Sequence, residues 1–334
     1  MQTQLILSRS ILTASAAVLC AFLVPSAHAD VFGSGANTLT LEFVTIGNAG
    51  NADDRAFDDT DNTPGDPNDD EYASPYGGVP YAYRMGTFEI SQAQIAKATA
   101  GGLAMVTAFP WTDSQPAGSM SWFEAAAFVN WLNVQRTPGL KAYNLTGVSS
   151  LTPWASVDAW QAGGENLYRH KDAYYFLPSE DEWYKAAYHK NDGVTANYWD
   201  YATGSNSIPI AVASGTTAGT AVYYGATDTP VAVDNAGGLS AYGTMGQNGN
   251  LWEWNESAVD GINDSWSEDR TFRGGLAGWP EGDLRSSHRR AFSPSNSSWH
   301  IGFRVASVPE PSSTVLMISA GLLAIARRRR RAAL

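Results

Sequence analysis

Cysteine is almost absent from this chain. The single cysteine, Cys20, lies in an apolar run near the amino terminus. If that run is removed on export, the mature domain holds no thiol, which excludes disulfide bonds, thiolate metal sites and cysteine-based catalysis. Any reaction of this domain must therefore use other side chains.

Other catalytic patterns are missing as well. The histidines after residue 30 form no HxxxH or HExxH pair, so the sequence does not predict a histidine-based zinc site. It contains neither a G-x-S-x-G nucleophile elbow nor a phosphate-binding P-loop. These histidines are His170, His189, His288 and His300.

Basic residues are scarce. The chain has 21 Lys and Arg against 33 Asp and Glu, a formal net charge of −12. Six of the arginines, Arg9 and Arg327 to Arg331, lie in the terminal segments, so the central part is more acidic still. Such a charge repels nucleic acid and anionic lipid, and we expect neither as a partner of the central domain.

Both ends carry export patterns. Residues 1–29 combine Arg9, an apolar stretch and the small-x-small site Ala27-His28-Ala29, which predicts a signal peptide cleaved before Asp30. At the other end, Pro309-Glu310-Pro311 precedes an apolar run over residues 315–326 and then the arginines. That run reaches about 18 Å as a helix, short of the ~30 Å bilayer core, so a permanent tail anchor is the less favoured alternative.

An acidic loop is predicted over residues 51–71, with Pro64 and Pro67 as breakers. Asp59-x-Asp61 begins like an EF-hand loop, but Pro64 stands where that loop needs glycine, and Asp70 where it needs glutamate. We interpret the segment as a solvated loop, and weak calcium binding by its carboxylates is the alternative.

Three helices are predicted by one signal. Each begins with a capping box, in which a serine and a Gln or Glu three residues later satisfy two free N–H groups at the helix start. Apolar side chains at helical spacing follow the second and third boxes, so these are expected to be core helices. The boxes are Ser91-x-x-Gln94, Ser121-x-x-Glu124 and Ser179-x-x-Glu182; the buried sets are Phe128, Trp131 and Leu132, then Trp183, Ala186 and Ala187.

The segment Tyr242–Trp254 is rich in glycine and asparagine, which tolerate positive φ and predict a tight irregular turn. Such a turn leaves main-chain carbonyls free, and carbonyls with one carboxylate are the usual ligands of calcium. The alternative is a packed turn that anchors Trp252 and Trp254 in the core.

This segment contains Gly249-Asn250-Leu251-Trp252-Glu253-Trp254, which resembles the GNVWEW signature of the formylglycine-generating enzyme (sulfatase-modifying factor) family. Further segments resemble the same family in the same order, from about Tyr81 to Ser307. They are Tyr83–Ser91, Met120–Ala126, Leu177–Trp183, Arg273-Gly274-Gly275 and Gly302–Val305.

The resemblance implies one α+β domain with a C-type-lectin-like fold, few short helices and strands, and much irregular loop. We therefore divide the chain into a signal peptide (1–29), the domain (30–308, core about 81–307) and a tail (309–334). The tail resembles the PEP-CTERM sorting signal of Gram-negative bacteria, which implies recognition by an exosortase. The expected location is the cell surface or the extracellular matrix, after a transient stay at the inner membrane.

The resemblance also bears on catalysis. Members that generate formylglycine use two cysteines, five positions apart, just after the RGG strand. In this chain those positions fall on Trp279 and Leu284, neither of which binds copper or exchanges thiols. Oxidase activity and bound copper are therefore not expected. A modifying enzyme with a cysteine-independent site is the alternative, and Glu281, Asp283 and His288 are its candidate acid–base groups.

The favoured function is non-catalytic binding of a ligand or partner. The candidate face is the loop from Leu276 to Arg290, where an indole suits stacking on a sugar or peptide and basic side chains are concentrated. Its candidate residues are Trp279, Arg285, His288 and Arg289. The alternative places Trp279 in the core and lets the arginines bridge acidic loops.

The resemblance implies two structural calcium sites, and they are expected to transfer unequally. The first would need an asparagine near Val222. For the second, the carbonyls of Gln247, Gly249 and Leu251 and the carboxylate of Glu253 stand at matching positions. We expect at most one calcium ion, bound with modest affinity.

Overall fold

A computed structural model describes residues 28–54, 75–104 and 111–309 of the chain. The predicted sorting tail, and most of the signal peptide and acidic loop, lie outside these residues. The described helices are α1 (Gln92–Ala100), α2 (Trp122–Arg136) and α3 (Glu180–Tyr188), with short 3₁₀ turns at Gly35–Asn37, Ser156–Asp158 and Glu281–Leu284. The strands are β1 (His28–Phe32), β2 (Leu39–Ile46), β3 (Tyr83–Gly86), β4 (Leu145–Thr146), β5 (Ser150–Leu151), β6 (Ala159–Trp160), β7 (Asn166–His170), β8 (Tyr175–Phe176), β9 (Ile210–Ala211), β10 (Thr220–Ala221), β11 (Trp252–Ala258), β12 (Arg270–Arg273), β13 (Arg290–Phe292), β14 (Ile301–Gly302) and β15 (Ala306–Ser307).

All three predicted helices begin where their capping boxes place them. In each, the serine hydroxyl accepts from the third helical N–H while the Gln or Glu side chain accepts from the serine N–H. The apolar sets predicted for α2 and α3 are buried. These helices are short, so most of their stability comes from that burial and not from intrinsic propensity.

Two sheets hold the core between them. The first has strand order β1-β2-β3-β15-β8 and is antiparallel throughout. The second has the order β13-β12-β11-β14, with β11 and β14 parallel. Helix α2 joins them: the Trp122 indole donates to Asn255 O of β11 at 2.9 Å, and the Asn133 amide donates to Tyr175 O of β8 at 2.8 Å.

Buried arginine–carboxylate pairs connect the segments that carry the family resemblance. Arg304, near β14, holds Glu253 of β11, and Arg273 of β12 holds Glu180 of α3 at 2.6 Å. Arg169 of β7 lies between Glu182 and Glu256, at 3.0 and 2.7 Å. A buried charge is tolerated only when it is paired and hydrogen-bonded, so these pairs fix the segments relative to one another.

Candidate functional site

The turn before β11 has the backbone that its sequence predicts. Gly246, Gly249 and Asn250 all have positive φ, at 80°, 87° and 62°. Glycine is required at 249, because a Cβ there would lie 2.0 Å from the Val222 carbonyl oxygen. The turn wraps the buried carboxylate of Glu89, which accepts from the Asn250 amide at 2.5 Å and from Leu251 N at 3.2 Å.

Glu253, the predicted calcium carboxylate, is already paired with a cation. Arg304 donates to both of its oxygens at 2.5 Å, and the Trp183 indole donates to one of them at 2.7 Å. The carbonyls of Gln247, Gly249 and Leu251 therefore lack the charged ligand assigned to them, because Glu253 would join a calcium shell only by giving up Arg304. Within the described ranges, no group of three or more His, Cys, Asp or Glu is placed to hold a metal ion. The calcium site stays a prediction.

The positions that match the family's cysteine pair have separate structural roles. Leu284 is fully buried and packs with Tyr201, Ala221 and Tyr223. Trp279 lies half-buried at the surface, with the Arg290 guanidinium 4.8 Å from its ring centre. One position is thus occupied by a core leucine and the other by a half-buried indole that packs against the edge of the core, so the alternative that placed Trp279 in the core is correct in part.

The basic residues predicted to form one patch in loop 276–290 have different surroundings in the structure. Arg289 donates to both oxygens of Glu180, at 2.7 and 2.9 Å, and to Val259 O, so it belongs to the ion pairs of the scaffold. Arg285 is exposed to solvent. His288 faces the Trp252 ring at 5.6 Å, close to Arg290. The alternative of bridging arginines therefore describes Arg289, while His288 and Trp279 remain near each other through Arg290.

Asp283 and His288 do form a close pair, as their spacing in the sequence suggested. His288 Nε2 lies 3.1 Å from Asp283 Oδ1 and 3.2 Å from Arg290 Nε, a donor. Asp283 is only 6% exposed, and its Oδ2 accepts no hydrogen bond from the described residues. Burial raises the pKa of its carboxyl group and Arg290 opposes that rise. Glu281 is exposed on the same 3₁₀ turn.

Sequence reasoning missed the aromatic residues that lie beside Trp279. The Trp279 ring is 6.0 Å from His300, which contacts Trp299, and Trp299 is 6.1 Å from Trp111. Trp299 is 41% exposed, and burial lowers the pKa of His300, which favours its neutral form. We call Trp111, Trp279, Trp299, His300 and Arg290 the aromatic face. The sequence could have indicated Trp111 and Trp299, because neither belongs to an apolar stripe of a predicted helix.

Comparison with known proteins assigns the chain to a family. Residues 71–308 match the sulfatase-modifying factor enzyme 1-like domain, and the chain belongs to that family. Residues 307–331 match the PEP-CTERM protein-sorting motif, so the protein carries an export and sorting signal of the kind that exosortase-type machinery recognises. No curated protein matches the chain.

Solved structures show the same fold. Treponema denticola variable protein 1 is 18% identical, with a TM-score of 0.54, and the match covers 84% of this chain and 99% of that one. PvdO from Pseudomonas aeruginosa is 17% identical, with a TM-score of 0.53 and coverages of 84% and 98%. CarF is 18% identical, with a TM-score of 0.51 and coverages of 81% and 99%. These matches confirm the α+β fold that the resemblance implied.

The membrane prediction depends on residues beyond the described ones. Within residues 28–54, 75–104 and 111–309, no helix has the length and apolar character that a membrane crossing requires. The short apolar run of the tail is not among these residues.

Proposed function

We propose that this protein is an exported, non-catalytic binding domain that holds a ligand or partner on the aromatic face. The observation that carries this proposal is the occupancy of the two cysteine positions. Leu284 is packed in the core, and Trp279 stands on a surface with two further tryptophans. A leucine side chain has neither a thiol to exchange nor an atom that can bind copper.

The chemistry of the aromatic face suits a glycan or a peptide. The Trp299 indole is exposed, and those of Trp111 and Trp279 are half-buried. Indoles offer flat apolar area with few rotatable bonds, which suits stacking on sugar rings or on aliphatic side chains. Arg290 is 33% exposed and lies over Trp279, so it can donate to hydroxyl or carboxylate groups of a stacked ligand. Display at the cell surface or in the extracellular matrix agrees with the sorting motif.

The test is a glycan and peptide array probed with the purified full-length chain, followed by affinity measurement on the best ligand. Trp299→Ala is expected to weaken binding at least tenfold, since a central aromatic anchor contributes on the order of 2 kcal/mol or more. Trp266→Ala is a matched control, because Trp266 is 44% exposed and lies beyond β11, away from the face. Equal affinities for the two variants would contradict the proposal.

A second candidate is a modifying enzyme with a cysteine-independent site, and the close Asp283–His288 pair favours it. A histidine whose ring N–H donates to a carboxylate is a common general base. Here that role requires the proton on Nε2, which then donates to Asp283 Oδ1 and does not accept from Arg290 Nε. Under this alternative, His288→Gln would abolish turnover of a bound ligand while binding is retained. Release of an unchanged ligand by the parent protein would instead support simple binding.

A further inference from the structure

A cleft of about 460 Å³ opens at the end of the β11–β12 pair that lies opposite the aromatic face. Glu253 pairs with Arg273 at the end that carries the aromatic face, and Ala258 pairs with Arg270 at the other. The cleft lies beyond the second end, between residues 78–81, 162–167 and 261–264, with the start of α3 beneath. Its volume is within the ~300–1,000 Å³ usual for small-ligand sites.

The first turn of α3 carries three carboxylates in a row, of which only Asp181 lines the cleft, and arginine partners reach the other two. Glu180 is held by Arg273 and Arg289, and Glu182 by Arg169. Asp181 accepts only from the Gly77 N–H, at 2.9 Å, and no arginine or lysine among the described residues pairs with it. Asp181 is therefore the one carboxylate of this turn that has no cationic partner among the described residues.

The surroundings of Asp181 disfavour its ionised form. Burial, and then the nearby charges of Glu180, Asp53 and Glu182, raise its pKa to about 7, against the opposing hydrogen bond from Gly77. The side chain is nevertheless partly exposed, because it lines the cleft. A cation entering there would relieve the repulsion between these carboxylates.

Two aromatic rings form a wall of the same cleft. The rings of Tyr81 and Trp160 meet edge to face at 5.7 Å, and both line the cleft. The Tyr81 hydroxyl donates to Glu182 at 2.8 Å, and Trp160 is backed by Phe176. Both rings are thus fixed before any ligand arrives. The Arg169 guanidinium already lies 5.0 Å from the centre of the Trp160 ring, so the part left to this wall is apolar contact with an alkyl stem.

The same arrangement does not suit a metal ion. Glu256, the other buried carboxylate of the cleft, already accepts from Arg169, Tyr143 and the Asn166 amide. Arg169, the one basic side chain among the described lining residues, is likewise used by its two glutamates. A metal would find a single available buried carboxylate, whereas calcium takes six to eight oxygen ligands.

We propose that this cleft binds an ammonium or guanidinium group on an apolar stem, the chemistry shared by lysine and arginine side chains and by free alkylamines. Asp181 accepts hydrogen bonds from the cationic group, and Tyr81 and Trp160 pack against the stem. The site is separate from the aromatic face and does not depend on the function proposed for it.

The test is calorimetric titration of the purified full-length chain at pH 8, where Asp181 is ionised in the empty cleft. The probes are acetyl-Gly-Lys-Gly-amide, its arginine counterpart, 1,5-diaminopentane, and the lysine peptide with its ammonium group acetylated. Asp181→Asn keeps an acceptor for Gly77, so it should fold, and it is expected to weaken cation binding at least tenfold. Trp160→Leu should weaken it at least threefold. Asp234→Asn, an exposed carboxylate elsewhere, should leave affinity unchanged.

The probes also separate the two sources of the ligand. Binding of the peptides but not the diamine identifies a lysine or arginine side chain of a polypeptide, and the reverse identifies a free amine. Equal binding of the acetylated peptide would overturn the proposal, and so would an Asp181→Asn variant with parental affinity. Absence of binding by all three cations at millimolar concentration, with the fold intact by circular dichroism, would also overturn it.

Discussion

Replacement of Glu253 by glutamine distinguishes an ion pair from a calcium ligand. In the structure both Glu253 oxygens accept from Arg304, whose guanidinium also donates to Gly86 O at 2.9 Å and Met245 O at 2.8 Å. All of these groups are buried, so the variant leaves a guanidinium without its main counter-ion. Breaking such a pair from one side costs about 3–5 kcal/mol.

The structure narrows that range. Burial and the charge of Glu253 raise the pKa of the Glu89 carboxyl group well above its usual value, and Arg304 opposes that rise. Loss of the Glu253 charge lets Glu89 ionise more readily and partly compensate Arg304, so Glu253→Gln should cost about 3 kcal/mol. Arg304→Met should cost more, about 5 kcal/mol, because it leaves two carboxyl groups close together without a cation. At about 2 °C per kcal/mol for a domain of this size, the melting temperatures should fall by about 6 °C and 10 °C.

The assay is thermal unfolding followed by circular dichroism, in chelator and in millimolar calcium, with Asp234→Asn as control. An ion pair predicts the same loss in both buffers. If calcium raises the melting temperature of the parent protein and not of Glu253→Gln, Glu253 is a calcium ligand and our reasoning fails. The double variant, Glu253→Gln with Arg304→Met, should be more stable than Arg304→Met alone, since removal of both charges leaves neither of them unpaired.

Three further outcomes are expected. Supplied with copper and oxygen, the protein should not convert cysteine to formylglycine in a sulfatase-type peptide; an aldehyde product in the mass spectrum would refute this. Asp181→Asn should raise the melting temperature at pH 8 and leave it nearly unchanged at pH 4. The reason is that a carboxyl with a raised folded-state pKa loses stability as the pH rises from about 4 towards 7, where the folded state holds the proton more tightly than the unfolded state. Neutral residues in place of Arg327 to Arg331 should disturb sorting and processing of the tail, and processing equal to the parent's would show that the arginines are not part of the signal.

Local sequence patterns predicted the helices, whereas the ion pairs between residues far apart in the chain could not be predicted from the sequence. A capping box joins groups three residues apart, so Ser179 and Glu182 are readable together in the sequence. Arg273 and Glu180 are 93 residues apart, and Glu253 and Arg304 are 51 apart, so neither pair has a local signature. For Glu253, the local sequence shows only a carboxylate beside main-chain carbonyls and the resemblance implies calcium there, so nothing local indicates its pairing with Arg304.

The same limit applies to the candidate sites. Trp279 was found because the resemblance directed attention to its loop, whereas Trp111 and Trp299 reach it only through the packing of distant segments. The cleft depends on three separate loops, and Asp181 looked like one of several acidic residues at a helix start. Which of those carboxylates lacks an arginine is decided by tertiary structure alone.

The positions of the ion pairs explain how this scaffold keeps its fold without the family's cysteines. The segments of the family resemblance are held by Arg273, Arg304 and their glutamates, none of which takes part in thiol chemistry. Leu284 adds apolar burial at one of the two positions that the resemblance matches to the cysteines, and a cysteine there would leave a cavity costing on the order of 2 kcal/mol. Stability and oxidase chemistry are therefore separable here. The loops at the two ends of β11 and β12 can differ in sequence and in ligand, because the charges that hold the sheet lie between them.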